Sequence, residues 1–149
     1  MSASKDRLRL WLRLLKLVRL TEGEIRERFR AEFGTTLPRF DVMAALSQHP
    51  DGLKMSRLSA VLRVSNGNVT GIVDRLVEDG HLERVPVKGD RRAMIVRMTS
   101  EGRKEFVRQA AEHERWIDDL LAGLDAGEAR ALTDRLGALV LEREAAHAL

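Results

Sequence analysis

Apolar residues recur along this chain at helical spacing, with one short interval that alternates as strands do. Between residues 66 and 78, Val69, Ile72, Val73 and Leu76 follow an i, i+3, i+4, i+7 pattern, which predicts a helix with one buried side. The other side is polar or lacks side chains, and its residues are Gly67, Asn68, Thr70, Gly71, Asp74, Arg75 and Glu78. Ser65 is a suitable N-cap, so the helix should begin at Asn66 with free N–H groups at its start.

Two predicted strands follow this helix, which should end at Gly80. Residues 81–87 are β-prone, and Pro86 favours an edge position in a sheet. Residues 93–99 alternate between apolar and polar side chains, as a half-buried strand does. The loop between them is cationic, with Lys88, Asp90, Arg91 and Arg92. A charged hairpin tip is more often a solvated turn. Beside a helix with a polar side, however, it is typical of a winged helix whose tip enters the DNA minor groove.

The rest of the chain reads as helices. Residues 5–32 form one long helix with two apolar stripes, so it needs two packing partners; the second is either another copy of the chain or an intramolecular contact. Thr36 is a predicted N-cap, residues 49–52 form a turn, and residues 55–62 form a short helix with Leu58, Val61 and Leu62 facing inward. A long helix starts at Thr99 or Ser100. Asp125 and Glu128 predict a capping box for the last helix.

Several of these residues resemble the DNA-binding core of MarR-family transcriptional regulators. The resemblance is carried by Asp90-Arg91-Arg92, by Met98-Thr99 with Glu101 and Gly102, and by Asp74-Arg75-Leu76 with Gly80. It covers nearly the whole chain, although Met98 stands where the family usually has Leu, a volume-conserving change. It implies a single, mainly α domain with a small β-hairpin wing. Residues 34–99 would form a winged helix-turn-helix core, flanked by dimerisation helices at residues 1–33 and 100–149.

The resemblance also implies a function: a homodimer binds a pseudo-palindromic operator in double-stranded DNA, and a small organic effector, an aromatic acid or an acyl-CoA-like molecule, releases this repressor. Arg92 would enter the minor groove, held by an ion pair with Asp90, while Arg91 touches phosphate. The predicted DNA-binding residues are Ser65, Asn66, Asn68, Thr70, Arg75, Lys88, Asp90, Arg91 and Arg92. Residues that could line an effector site, but also suit core or solvated positions, are Trp11, Arg19, Phe40 and Met43.

The distribution of charge agrees with a DNA partner. Residues 81–104 carry seven lysines and arginines against three acidic residues, whereas residues 105–149 carry five against ten. A phosphate backbone attracts the first segment and repels the second. A helical dimer whose winged domain binds protein is the alternative; steep loss of affinity with rising salt would favour DNA.

Other classes of function find little support in the sequence. The chain has no cysteine, which excludes disulfides and thiol switches. Its four histidines are scattered without the spacing of metal ligands. Because there is no nucleophile–base pair and no phosphate-binding loop, we expect neither an enzyme nor a cofactor. No apolar run reaches the length of a membrane span, and the N-terminus is too charged for a signal peptide. We therefore expect a cytoplasmic protein.

Overall fold

The computed structural model describes residues 2–62 and 66–148, apart from the side chains of Asn66 and Arg91. The chain folds into two compact units, Met1–Glu114 and Arg115–Leu149. The elements, in chain order, are α1 (Ala3–Phe33), α2 (Leu37–Ser47), β1 (Leu53–Lys54), α3 (Met55–Leu62), α4 (Asn66–Glu78), β2 (Leu82–Val87), β3 (Asp90–Met98), α5 (Ser100–Leu120) and α6 (Ala126–His147). Within the described ranges, every helix is too short or too polar to cross a membrane.

The helix boundaries follow local signals that the sequence carries. Gly34 ends α1 in the left-handed conformation, with φ of 60°. The Thr36 side chain accepts a hydrogen bond from the backbone N–H of Arg39 at 3.3 Å, so it caps α2 as predicted. Asp125 and Glu128 form both hydrogen bonds of the predicted capping box at the start of α6. Both predicted caps are confirmed. They could be predicted because each depends on residues only a few positions apart.

The sheet contains one strand more than predicted. Its strands lie in the order β1-β3-β2 with antiparallel pairing. We expected only the hairpin of β2 and β3, and β1 was missed because a strand of two residues is too short to show an alternating pattern. Strand β2 lies at an edge and contains Pro86, as predicted. The hairpin tip is shorter than the expected loop, since β3 already begins at Asp90.

The core of the winged region is formed by α2, α3, α4 and the sheet. The predicted inner side of α4 is confirmed, with Val69 and Val73 fully buried and Leu76 only 2% exposed. The prediction for α3 was partly wrong, because Val61 is 46% exposed. The buried side of this short helix is centred among Leu58, Ser59 and Leu62. At 3.6 residues per turn, Val61 lies roughly 110° away from that centre.

A compact set of backbone contacts joins the end of α4 to the start of α5. The backbone N–H of His81 donates to the Leu76 carbonyl at 2.9 Å, and Gly80 has φ of 81°, which is the Schellman arrangement of a helix end. The Thr99 hydroxyl donates to the Gly80 carbonyl at 2.7 Å, and the Thr99 N–H donates to the His81 carbonyl at 3.0 Å. We call these contacts, together with Gly102, the α4–α5 junction.

Gly102 is the residue of this junction that tolerates least change. A Cβ atom at position 102 would lie 1.9 Å from the carbonyl oxygen of His81. We therefore expect Gly102→Ala to lower the free energy of unfolding by about 2 kcal/mol. A matched control is Gly137→Ala in α6, where a Cβ would meet no atom of the described residues within 4 Å. Urea denaturation of both variants measures the difference, and equal stability of the two would contradict the contact.

His113 is part of an aromatic cluster. Its ring centroid lies 4.8 Å from that of Phe40 and 6.0 Å from that of Phe29. Burial lowers the pKa of His113 below its ordinary value, because a charged imidazole is poorly solvated there.

The lowered pKa of His113 predicts a pH dependence of stability. The unfolded chain takes up a proton as the pH falls through about 6.5, whereas the folded chain does so only at lower pH. Stability should therefore be complete above pH 6.5 and decline as the pH falls towards the folded pKa. His113→Gln should remove this part of the decline, which urea denaturation at a series of pH values measures. An unchanged pH profile in the variant would contradict the assignment.

Candidate nucleic-acid interface

The outer face of α4 is exposed and chemically suited to contact a polar partner. Gly67, Asn68, Thr70, Gly71 and Arg75 are all exposed, while the buried valines on the opposite side anchor the helix. Of the predicted contact residues at the helix start, Ser65 and the side chain of Asn66 lie outside the described part of the chain. Arg75 forms an ion pair with Asp79, one turn further on, at 3.2 Å, so its guanidinium lies along the helix axis.

The wing presents a cationic tip. Lys88 and Gly89 form the turn between the strands, with Gly89 at φ of 88°, and the Arg92 side chain is exposed. The expected ion pair between Asp90 and Arg92 is wrong. The Asp90 carboxylate instead accepts a hydrogen bond from the backbone N–H of Arg92 at 3.0 Å, since a side chain this short reaches the N–H two residues on. The Arg91 side chain lies outside the described residues.

An ion pair that the sequence pattern did not reveal joins the wing to α4. The Arg84 guanidinium on β2 pairs with the Asp74 carboxylate, ten residues away in the chain. A second pair, Arg97 with Glu83 at 2.7 Å, crosses from β3 to β2. Because Arg84 neutralises Asp74, the exposed face of α4 carries less negative charge than its sequence suggests. The sequence showed that Asp74 lies on the polar face of α4. Its pairing with Arg84 becomes evident only when the position of β2 is known.

Two glycines form an open groove beside α4. The groove has a volume of about 670 Å³ and is lined by Thr36, Pro38, Arg39, Gly67, Asn68, Gly71, Ile72 and Arg75. A Cβ atom at Gly67 or Gly71 would meet no atom within 4 Å in the part of the chain that the structure describes. The packing of that part therefore does not require glycine at either position, although each lowers helix stability by about 1 kcal/mol relative to alanine. Arg39 was not among the predicted site residues.

The four residues named for an effector site have different environments. Trp11 and Arg19 on α1 are exposed, whereas Phe40 and Met43 on α2 are buried. Phe40 belongs to the aromatic cluster, where its ring centroid lies 5.5 Å from that of Phe106. Arg19 and Met43 line two separate cavities of the unit Met1–Glu114. The effector site therefore stays a prediction.

Sequence comparison identifies relatives among transcriptional regulators. The model of the MarR family matches residues 33–93. The HTH-type transcriptional regulator PecS of Dickeya dadantii is 32% identical over 66% of this chain and 60% of its own length. The transcriptional activatory protein BadR of Rhodopseudomonas palustris is 35% identical over 64% of this chain and 55% of its own length. The chain thus spans less than two thirds of these curated relatives.

Structural comparison extends the match to nearly the full chain. A MarR family transcriptional regulator from Silicibacter pomeroyi is 30% identical, with a TM-score of 0.78 over 96% of this chain and 99% of that one. A mutant MarR from E. coli, solved in complex with operator DNA, has the same fold, with a TM-score of 0.77 at 21% identity over 93% of this chain and 99% of that one. The chain belongs to the MarR family of transcriptional regulators. Its fold is the winged helix-turn-helix fold of that family.

Proposed function

We propose that this chain binds a specific pseudo-palindromic sequence in double-stranded DNA as a homodimer. The observation that carries the proposal is the joint presentation of the exposed face of α4 and the cationic wing by one unit. The α4–α5 junction and the Asp74–Arg84 pair hold these two elements together. A helix with a short polar face suits the major groove, and an arginine at a wing tip suits the negative potential of a narrow minor groove.

In this proposal Asn68, Thr70 and Arg75 contact base edges or the adjacent phosphates, and Arg92 enters the minor groove. Lys88 adds sequence-independent attraction to phosphate. Ser65, Asn66 and Arg91 are proposed contacts through their positions in the chain. Asp90 supports the wing through the backbone of Arg92 rather than by touching DNA. The mutant MarR with the same fold was solved in complex with operator DNA, which supports DNA as the partner.

The proposed dimer is supported by apolar side chains that each unit leaves exposed. On α1 these are Leu8, Leu10, Trp11, Leu12, Leu17, Val18 and Leu20, and on α6 they are Leu132, Leu136, Leu139, Val140 and Leu141. Exposed apolar surfaces of this extent mark interaction sites in soluble proteins. A second copy of the chain would cover them and place two recognition helices about one DNA turn apart.

We also propose that the bound dimer represses transcription and that a small organic molecule, an aromatic acid or an acyl-CoA-like compound, releases it. Such a ligand would act by favouring spacings of the two recognition helices that fit DNA poorly. The absence of cysteine supports a binding switch over thiol oxidation. Release of the operator by micromolar ligand in a gel-shift titration is the supporting result, and a series of such acids without effect would oppose it.

Arg92 provides the direct test of DNA binding. Arg92→Ala should weaken operator binding by about tenfold or more, the equivalent of about 1.4 kcal/mol, without lowering the melting temperature, because its side chain is exposed. Arg143→Ala, which removes an exposed arginine from α6, is the control. Fluorescence anisotropy with an operator selected from random duplexes measures both affinities. Equal affinity of the Arg92 variant and the parent would exclude the proposed contact.

Gly71→Ala should separate stability from DNA affinity. The added methyl group meets no atom of the described residues, so the free energy of unfolding should rise by up to about 1 kcal/mol. The same methyl group should obstruct close approach of α4 to the groove and weaken operator binding. Denaturation and anisotropy on one preparation give the two quantities. A variant that is more stable and binds DNA as tightly as the parent would refute the close approach.

Leu136→Glu tests the dimer. The parent should sediment at twice the mass of one chain. The variant should shift towards monomer, because a charge in an apolar contact is poorly solvated, and it should therefore lose operator affinity. Val61→Glu places the same charge on an exposed residue of α3 and should leave the mass unchanged. Sedimentation equilibrium measures the mass. A monomeric parent would contradict the proposal.

A further inference from the structure

The groove beside α4 lies on one flank of the exposed face of this helix. At 3.6 residues per turn, Ile72, which lines the groove, and Asp74, which pairs with Arg84 of β2, lie roughly 160° apart around the helix axis. Gly67 and Gly71 lie between them on the outer side. The exposed face is therefore bordered by the start of α2 on one flank and by the sheet on the other.

A helix in the major groove of DNA has a sugar–phosphate strand beside each of its flanks. The major groove is about 12 Å wide, and a helix with its side chains is about 10–12 Å across. Such a helix fills the width of the major groove, so the two strands that border it lie against the two flanks. When α4 occupies the major groove, one strand therefore passes the start of α2 and the other passes the sheet.

The groove beside α4 has a cationic lining. Arg39 and Arg75 both line it, and none of the described residues that line it is acidic. The Arg75 guanidinium is paired with Asp79 at 3.2 Å. The Arg39 guanidinium forms no hydrogen bond or ion pair with any residue that the structure describes. Arg39 therefore supplies the uncompensated positive charge of this groove.

The backbone at the start of α2 has few donors to offer an anion. Pro38 has no N–H group. The N–H of Arg39 donates to the Thr36 hydroxyl at 3.3 Å, and the N–H of Phe40 donates to the Thr36 carbonyl at 3.2 Å. This helix end thus differs from anion sites that are built from free N–H groups. The side chain of Arg39 is the group that can hold an anion here.

We propose that the groove beside α4 holds the sugar–phosphate backbone of one DNA strand and that Arg39 binds a phosphate of that strand. The proposal rests on the DNA binding proposed above. A guanidinium forms paired, charge-assisted hydrogen bonds with phosphate oxygens. Because Gly67 and Gly71 have no side chains, the groove stays open, with a volume of about 670 Å³. Sites for whole small molecules have about 300–1,000 Å³, so a sugar fits together with its phosphate.

Arg39 positions α4 in the major groove without reading the sequence. Contacts to phosphate fix the register of a protein on the duplex but carry no direct sequence information. Sequence discrimination stays with Asn68, Thr70 and Arg92. The groove holds the strand on one flank of α4 and the wing engages DNA on the other, so the helix is held from both sides.

The salt dependence of DNA affinity tests this contact. Each neutralised phosphate contributes about 0.9 to the slope of log affinity against log salt concentration. Arg39→Ala should therefore reduce the slope by about 0.9 and weaken binding about fivefold to tenfold at about 0.1 M salt. The loss should be the same for the operator and for a random duplex. Fluorescence anisotropy at a series of salt concentrations measures both duplexes.

Three further variants separate the phosphate contact from other effects. Arg39→Lys keeps the charge and should retain the slope. Arg39→Gln removes the charge but keeps much of the aliphatic chain, so it should repeat the loss with less change in packing. Arg26→Ala removes an arginine of α1 that is paired with Glu22 and should leave the slope unchanged. Melting temperatures show which variants are folded.

Two outcomes would overturn the proposal. A parental slope in Arg39→Ala or in Arg39→Gln would show that Arg39 neutralises no phosphate. A loss of affinity for the operator alone, with the random duplex bound as tightly as by the parent, would show that Arg39 reads bases.

Duplexes with one neutral methylphosphonate locate the contact in the unmodified protein. A neutral linkage on the strand that passes the start of α2 should weaken binding by the parent. The same linkage should cost Arg39→Gln nothing further, because its cationic partner is already removed. Unchanged affinity of the parent for every neutral linkage on that strand would contradict the proposed contact.

The groove contact and the proposed function fail separately. A parent that binds no duplex would contradict the proposed function. A parent that binds its operator and loses affinity on Arg92→Ala, but whose salt dependence is unaffected by substitution of Arg39, would retain the proposed function and refute the groove contact.

Discussion

The close approach of Gly102 to the carbonyl of His81 is the constraint on which the packing of α5 against the end of α4 depends. Only a residue without Cβ lets the first turn of α5 approach the end of α4 so closely. The same few residues carry the hydrogen bonds of Thr99 to Gly80 and His81. The end of α4, the end of β3 and the start of α5 therefore meet at one point.

This junction explains how α4 fixes the direction of the β2–β3 hairpin. Strand β2 begins directly after the end of α4, and β3 returns to Thr99 beside it. The Asp74–Arg84 ion pair adds a second point of attachment nearer the wing. An exposed pair of this kind contributes at most about 1 kcal/mol, so its main effects are on orientation and on the charge of the α4 face. The backbone hydrogen bonds of the α4–α5 junction are the main connection between α4 and the strands.

The sequence predicted those features that depend on nearby residues. The inner side of α4, the caps at Thr36 and Asp125 and the edge position of Pro86 all follow from patterns within one element. The features that were missed connect distant parts of the chain. Arg84 reaches Asp74 across ten residues, and β1 pairs with β3 from more than forty residues away. Neither pairing leaves a local periodic signal.

In the candidate site too, the features set by nearby residues were predicted and the contacts between side chains and backbone were not. Exposure of Asn68, Thr70, Arg75 and Arg92 follows from helix and strand periodicity and agrees with the structure. The expected ion pair of Asp90 with Arg92 was wrong because the backbone N–H of Arg92 competes with its guanidinium for a short side chain, which residue types alone do not show.

NMR mapping of the full chain during titration with an operator duplex tests most directly whether α4 and the wing contact DNA together. Backbone signals of residues 67–75 and 88–92 should shift together with one affinity, because the α4–α5 junction would present both elements to the same duplex. Shifts restricted to one of these segments, or shifts in α6 with both segments unchanged, would contradict it.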